Sequence, residues 1–219
     1  MIPLKDDVPS RRVPYVNLSI IGVCLAVFAA TAGAGLNRTI ADWGVVPASF
    51  LTLPAAGMAL KILTATFIHA SWLHVLGNML FLWIFGDNVE DAMGHVRYLV
   101  FYLLTGTIAF VIYVLINAQS KLPLVGASGA ISGVLGAYFM LYPKAKVWTM
   151  LFIFFIFAPV PLPAVLFLGV WFLLQALSES LVYTGGQGGG VAFAAHLGGF
   201  VAGMLLVPLF LRRRTEQTT

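Results

Sequence analysis

Residues 122–143 read LPLVGASGAISGVLGAYFMLYP. The run contains no Asp, Glu, Lys or Arg, and a bilayer span needs about 20 mostly apolar residues. Its small residues are periodic. Ser128, Ser132 and Gly136 fall on one helical face, beside Gly129 and Gly133. Faces of this small-xxx-small kind let membrane helices approach closely, so the stretch predicts a span that packs tightly against another helix.

The rest of the chain repeats the first half of that pattern. Residues 13–37, 62–86, 98–120, 147–178 and 180–211 are also free of the four charged types. Across 219 residues there are only 12 Lys and Arg and 8 Asp and Glu, 9% of the chain, against 60% hydrophobic. A soluble domain carries about 25% charged residues, so a water-facing globule is excluded. The predicted class is an all-α polytopic membrane protein with six spans, at about 17–34, 73–88, 97–117, 127–142, 163–181 and 191–211.

Charge placement predicts orientation. With the N-terminus inside, the inner segments hold Lys5, Arg11, Arg12, Arg97, Lys144, Lys146, Arg212, Arg213 and Arg214, and the outer ones only Arg38, Lys61 and Lys121. That bias is the positive-inside signature and not a nucleic-acid stripe, despite the net charge of +4. The expected organisation is a cytoplasmic tail 1–16, a six-span domain 17–211 and a basic cytoplasmic tail 212–219. Residues 35–72, with Pro47 and Pro54, read as a membrane-associated first loop. Residues 147–162, ending among Pro159, Pro161 and Pro163, read as an interfacial or extended connection. Gly185, Gly186, Gly188, Gly189 and Gly190 predict a flexible outer loop. Ala30-Thr31-Ala32 is similar to a processing site, but the long leader with Asp6 and Asp7 favours an uncleaved span. Cys24 lies mid-span and reads as packing.

Polar residues inside a bilayer are costly, which makes each one a functional candidate. The set is His69, His74, Asn78, Ser128, Ser132 and His196. Spans two, four and six run the same way, so His74, Asn78, Ser128 and His196 fall at a similar depth below the outer surface. Gly199 and Gly203 follow His196 on one helical side. If that side meets the stripe of span four, the Ser128 hydroxyl and the His196 imidazole come together. Such a pair can split acyl transfer into acylation and hydrolysis. A serine at a helix N-terminus also offers unpaired backbone N–H groups to an oxyanion, and His74 and Asn78, at i and i+4, offer side-chain donors. No buried acid is placed to orient His196, which predicts a dyad. The spacing of His69 and His74 suits no metal site, and no cofactor is implied.

These residues resemble the rhomboid family of intramembrane serine proteases. The resemblance rests on His69-x4-His74-x3-Asn78, Gly126-x-Ser128-Gly129, and Ala195-His196-x2-Gly199-x3-Gly203, with Gly86 and Glu90 after span two. It implies a six-transmembrane-helix bundle with Ser128 as nucleophile and His196 as general base and acid. His74, Asn78 and the Ser128 N–H would form the oxyanion hole, Gly126 would shape the loop entering span four, and His69 would be structural or help hold water. The fifth span and the 183–190 loop would gate access. The substrates would be single-span transmembrane proteins, cut near the outer end of the helix.

Two positions depart from the family pattern. Leu60-Lys61 stands where Trp-Arg is common, and Ser132 stands where some members carry an aromatic against the catalytic imidazole, leaving Phe193 or Phe200 to support the ring. The expected location is a prokaryotic cytoplasmic membrane. The rival readings are a non-catalytic protein that binds or escorts transmembrane clients, and a transporter with a histidine proton path. The latter is disfavoured by the absence of a mid-membrane acid or a visible repeat.

Overall fold

The structure is a computed structural model that describes residues 1–33, 35–153, 156–184 and 192–212. The glycine-rich loop and most of the basic tail fall outside the described residues. Most of the main helices follow the charge-free runs: α1 (Tyr15–Thr31), α5 (Trp72–Phe81), α7 (His95–Ile116), α8 (Ser128–Leu141), α9 (Ala164–Thr184) and α10 (Ala192–Phe210), while the short acidic α6 (Asp87–Met93) lies between two of them. Among the described residues, His95–Ile116 and Phe193–Phe210 are long and apolar enough to cross a membrane alone. Tyr15–Thr31, Ser128–Leu141 and Ala164–Leu174 are shorter apolar helices. The first loop is itself helical, as α2 (Leu36–Trp43), α3 (Pro47–Phe50) and α4 (Ala55–Phe67), and α4 meets α5 at a bend of 90°.

The seam between α8 and α10 organises the bundle. A Cβ at Gly199 would fall on the carbonyl oxygen of Gly129, one at Gly203 on that of Gly133, and one at Gly136 on that of Phe200. Both numberings rise together, so the helices are parallel and touch backbone to backbone. The stripe also serves a second neighbour. The Cβ positions of Gly129 and Gly133 are directed at Ala109 and Thr105 of α7. Helix α8 is therefore wedged between α7 and α10, and residues 129–138 are all buried.

A polar node joins α1 to the α5–α6 segment. Between α5 and α6 the chain widens into a π turn, Leu82–Gly86, and the Leu82 carbonyl accepts from Asn17 Nδ2 at 2.9 Å. Asn17 Oδ1 accepts from the Tyr98 hydroxyl at 2.8 Å. A side chain at Gly86 would collide with Asn17, which explains why this position needs a glycine. The carboxylate of Glu90, 1% exposed, accepts the N–H groups of Val16 and Asn17 at 3.0 and 2.7 Å. These are orphan donors of the first turn of α1, where a negative charge also meets the positive end of the helix dipole. His95 Nδ1 lies 2.5 Å from the same carboxylate.

The structure corrects the all-α expectation. β1 (Ile2–Lys5), β2 (Lys146–Ile153) and β3 (Ile156–Pro163) form an antiparallel sheet of order β1-β2-β3. The connection expected at 147–162 is thus a hairpin, and the N-terminal tail is its third strand. The prolines that break a helix sit on an edge strand, where proline is tolerated. Asp6 and Asp7 secure the tail, with Asp6 Oδ2 accepting from the Tyr138 hydroxyl at 2.5 Å and Asp7 Oδ1 from the Lys146 N–H at 2.7 Å. Burial pushes the Asp6 carboxyl above the ordinary carboxylate range, and the Tyr138 hydrogen bond opposes that rise.

Glu90→Ala removes two charge-assisted hydrogen bonds worth about 1.5 kcal/mol or more each. Thermal unfolding in detergent is expected to show a loss of about 3 kcal/mol, and Glu90→Gln, which keeps an acceptor, a smaller one.

Candidate active site

The N-terminal ends of α5, α8 and α10 converge on one cavity of about 370 Å³. His74 and Asn78 reach it from α5, Ser128 and Ser132 from α8, and His196 from α10. The four residues expected at a common depth therefore share one chamber. Its remaining wall is mostly apolar, including Leu73, Phe81, Leu124, Ile131 and Trp171.

Each element delivers its side chain for a local reason. Helix α5 begins at Trp72 because Ser71 caps it, its hydroxyl accepting the His74 N–H at 3.1 Å. The Ala70 N–H points to His74 Nδ1 at 3.5 Å, which leaves Nε2 as the nitrogen turned away from that N–H. That nitrogen lies beside the Gly126 backbone, where a Cβ would come within 2.7 Å of it. Gly126 has φ +124°, a region open to glycine and strained for other residues. The loop is held by the Gly126 N–H on the Ala65 carbonyl at 2.8 Å and by reciprocal bonds between Val45 and Leu124 at 3.0 and 2.8 Å. The first loop thus positions the entry to α8.

Ser128 is the first residue of α8, so its N–H has no carbonyl one turn earlier in the helix to bond. None of the described hydrogen bonds engages its hydroxyl. Asn78 Nδ2 is buried without an acceptor. The chamber therefore presents two side-chain donors and a helix N-terminus around a serine hydroxyl, and a histidine that is 8% exposed. Among the described residues no Asp or Glu lines it, and no group of His, Cys, Asp or Glu could hold a metal.

His69 does not line the cavity. It is fully buried behind His74, ring edge to face at 5.1 Å. Gly129, Gly199 and Gly203 lie in the helix seams rather than on the cavity wall. Sequence reasoning missed Trp171, whose ring centroid lies 6.5 Å from that of His196 at 33°. Phe193 and Phe200, expected to support the imidazole, both meet Phe172, at 5.3 and 5.2 Å. A tryptophan within a long apolar run carries no mark that separates a cavity wall from a lipid-facing anchor. Further along the same segment, Met79 and Leu82 are buried and Phe81 lines the cavity, whereas Trp83 is 64% exposed.

Residues 56–213 match the profile of the rhomboid domain. The chain is 27% identical over 192 residues to "Rhomboid protein 1, mitochondrial" of Saccharomyces cerevisiae, covering 85% of this chain and 51% of that protein. It is 32% identical over 155 residues to "Rhomboid-like protein 11, chloroplastic" of Arabidopsis thaliana, covering 67% and 51%. It is 32% identical over 130 residues to "Presenilin-associated rhomboid-like protein, mitochondrial" of Homo sapiens, covering 58% and 33%. The chain spans about half the length of the first two. These names point to mitochondria and chloroplasts and give no support to the expected prokaryotic location. The apolar helices and the matched domain make this a membrane protein, and the chain belongs to the rhomboid family.

Proposed function

We propose that the chain is an intramembrane serine endopeptidase that cleaves a transmembrane helix near its outer end, using Ser128 and His196 as a dyad. The observation that carries the reading is the gathering of Ser128, His196, His74 and Asn78 around one cavity. In this reading the chain makes six spans with both termini on the inner side, and the cavity opens outward.

His196 takes the proton of Ser128 as the hydroxyl oxygen attacks the scissile carbonyl carbon. The carbonyl oxygen becomes an oxyanion, which receives the Asn78 amide, the His74 Nε2–H and the Ser128 backbone N–H. The imidazolium then returns its proton to the leaving amine, and an acyl-enzyme forms. Water repeats the sequence in reverse, with His196 again as base and then acid, and the serine is freed. Gly126 lets His74 approach the oxyanion position. A regular substrate helix hides its carbonyls in hydrogen bonds, so the substrate must unwind first, and Gly or Pro near the cut lowers that cost.

With a labelled single-span substrate and purified protein, Ser128→Ala and His196→Ala are each expected to abolish cleavage. Full cleavage by either variant would sink the dyad, and no cleavage by the wild type would support the client-escort reading instead. A fluorophosphonate is expected to label the wild type at Ser128 alone. Asn78→Ala is expected to lower kcat by about 10²-fold or more, the cost of one oxyanion donor. Gly126→Ala adds a Cβ at positive φ against His74 and is expected to reduce kcat more than KM, with a stability loss of about 1–2 kcal/mol. Replacing helix-breaking residues of the substrate with Leu is expected to slow its cleavage; unchanged rates would refute the unwinding requirement.

A further inference from the structure

The sheet lies at the far end of the bundle from the cavity and takes no part in the proposed chemistry. It is pinned to the helix ends. The Ala164 N–H donates to Ala145 at 2.7 Å and the Val165 N–H to Pro143 at 3.1 Å, and β3 runs directly into α9. One face points into the protein through Pro3, Val147 and Thr149, all buried. Paired strands place Trp148 and Met150 on the opposite face, with Pro161 and Pro159 across from them on β3 and Lys5 and Ile2 on β1. Ile2 and Leu4 are 43% and 45% exposed, and Pro159 and Pro161 are also exposed. An antiparallel sheet covering a core normally alternates apolar inside with polar outside. On this sheet the outward face is apolar as well, apart from Lys5 and Lys146 at the strand ends.

The edge points the same way. Pro159, Pro161 and Pro163 occupy alternate positions of the edge strand β3. Alternate residues of an antiparallel strand direct their backbone groups to the same side, and proline in a sheet turns its nitrogen away from the ladder. The outward side of β3 therefore has no N–H to satisfy at these three positions. In hydrocarbon each unpaired N–H costs several kcal/mol, whereas in water such a donor would be harmless. Charge completes the picture. Lys5, Lys144 and Lys146 are exposed around the sheet, and Lys5 Nζ stands 5.8 Å over the Trp148 ring. The neighbouring acids are engaged, Asp6 by Tyr138, Asp7 by the Lys146 N–H and Asp91 by the Arg11 N–H and Arg12. Tryptophan beside lysine is the composition of a membrane–water interface, and basic residues there attract anionic lipid.

We propose that the sheet is an interfacial lipid-binding plate. Its outer face, through Ile2, Trp148, Met150, Pro159 and Pro161, rests against the acyl-chain boundary of one leaflet. Lys5, Lys144 and Lys146 engage the phosphate groups of anionic lipids. The plate thus fixes the depth at which the α8–α9 connection sits in the bilayer.

The test places Met150→Cys in a Cys24→Ala chain and labels it with bimane. One copy per nanodisc is prepared in phosphatidylcholine, with and without phosphatidylglycerol. Lipids brominated at the upper acyl chain are expected to quench the label several-fold more than aqueous iodide, and more so with phosphatidylglycerol. Lys5→Gln with Lys146→Gln is expected to remove that increment. Free quenching by iodide, or protection from both quenchers, overturns the plate, the latter meaning that protein covers the face. Equal lipid quenching in both mixtures overturns the phosphate contact. The same label at Pro161→Cys, with thermal unfolding of each variant, separates a misfolded sheet from a soluble one.

Discussion

The close approach of α8 and α10, backbone against backbone, is the constraint on which the site depends. The Gly129 and Gly133 carbonyls occupy the space where Gly199 and Gly203 would carry a Cβ. Even one methyl group there forces the axes apart, since a carbonyl oxygen of a helix cannot swing aside. In a bilayer no hydrophobic force draws two helices together; dispersion and weak Cα–H···O contacts do, and both need close range. Ser128 and His196 stand just before this seam on their respective helices, so the seam sets the distance between hydroxyl and imidazole. Helix α7 closes the arrangement from behind, with Thr105 and Ala109 against the other side of the same glycines.

Polar groups gather at both ends of the bundle. The node of Glu90, Asn17, Tyr98 and His95 ties α1, α6 and α7 together, and the tail adds Asp6 with Tyr138. Every member has a partner, as low-dielectric surroundings demand. At the cavity the Asn78 amide is left without an acceptor. In the proposed mechanism that donor meets its acceptor only when the oxyanion forms.

Much of this was legible in the sequence because each feature has a local signature. Gaps between charges marked the helices, and the i, i+4 spacing of His74 and Asn78 placed both on one face. The run of small residues identified the seam, but periodicity names a stripe and not its neighbour, so the share of Gly129 and Gly133 facing α7 stayed hidden. The sheet was legible only as an extended connection over 147–162, for a different reason. Its outward face is apolar but for Lys5 and Lys146, which erases the period-two alternation that marks a strand, and its third strand comes from a tail more than 140 residues away in the chain. Glu90 was visible as a position but not as a cap, because nothing local says that a carboxylate after span two reaches the first turn of α1.

The missing acid at the cavity can be understood in the same terms. A buried carboxylate beside His196 would have to be stripped of water, at an effective cost of several kcal/mol even after relaxation, in the part of the protein least able to solvate it. What such a residue would contribute is orientation of the ring. Trp171 from α9 stands beside the imidazole, and the glycine seam fixes the helix backbone below it. Such packing needs no desolvated ion. Its cost is a dependence on α9, the element leading from the sheet, so the geometry of His196 is coupled to a segment anchored at the opposite end of the bundle.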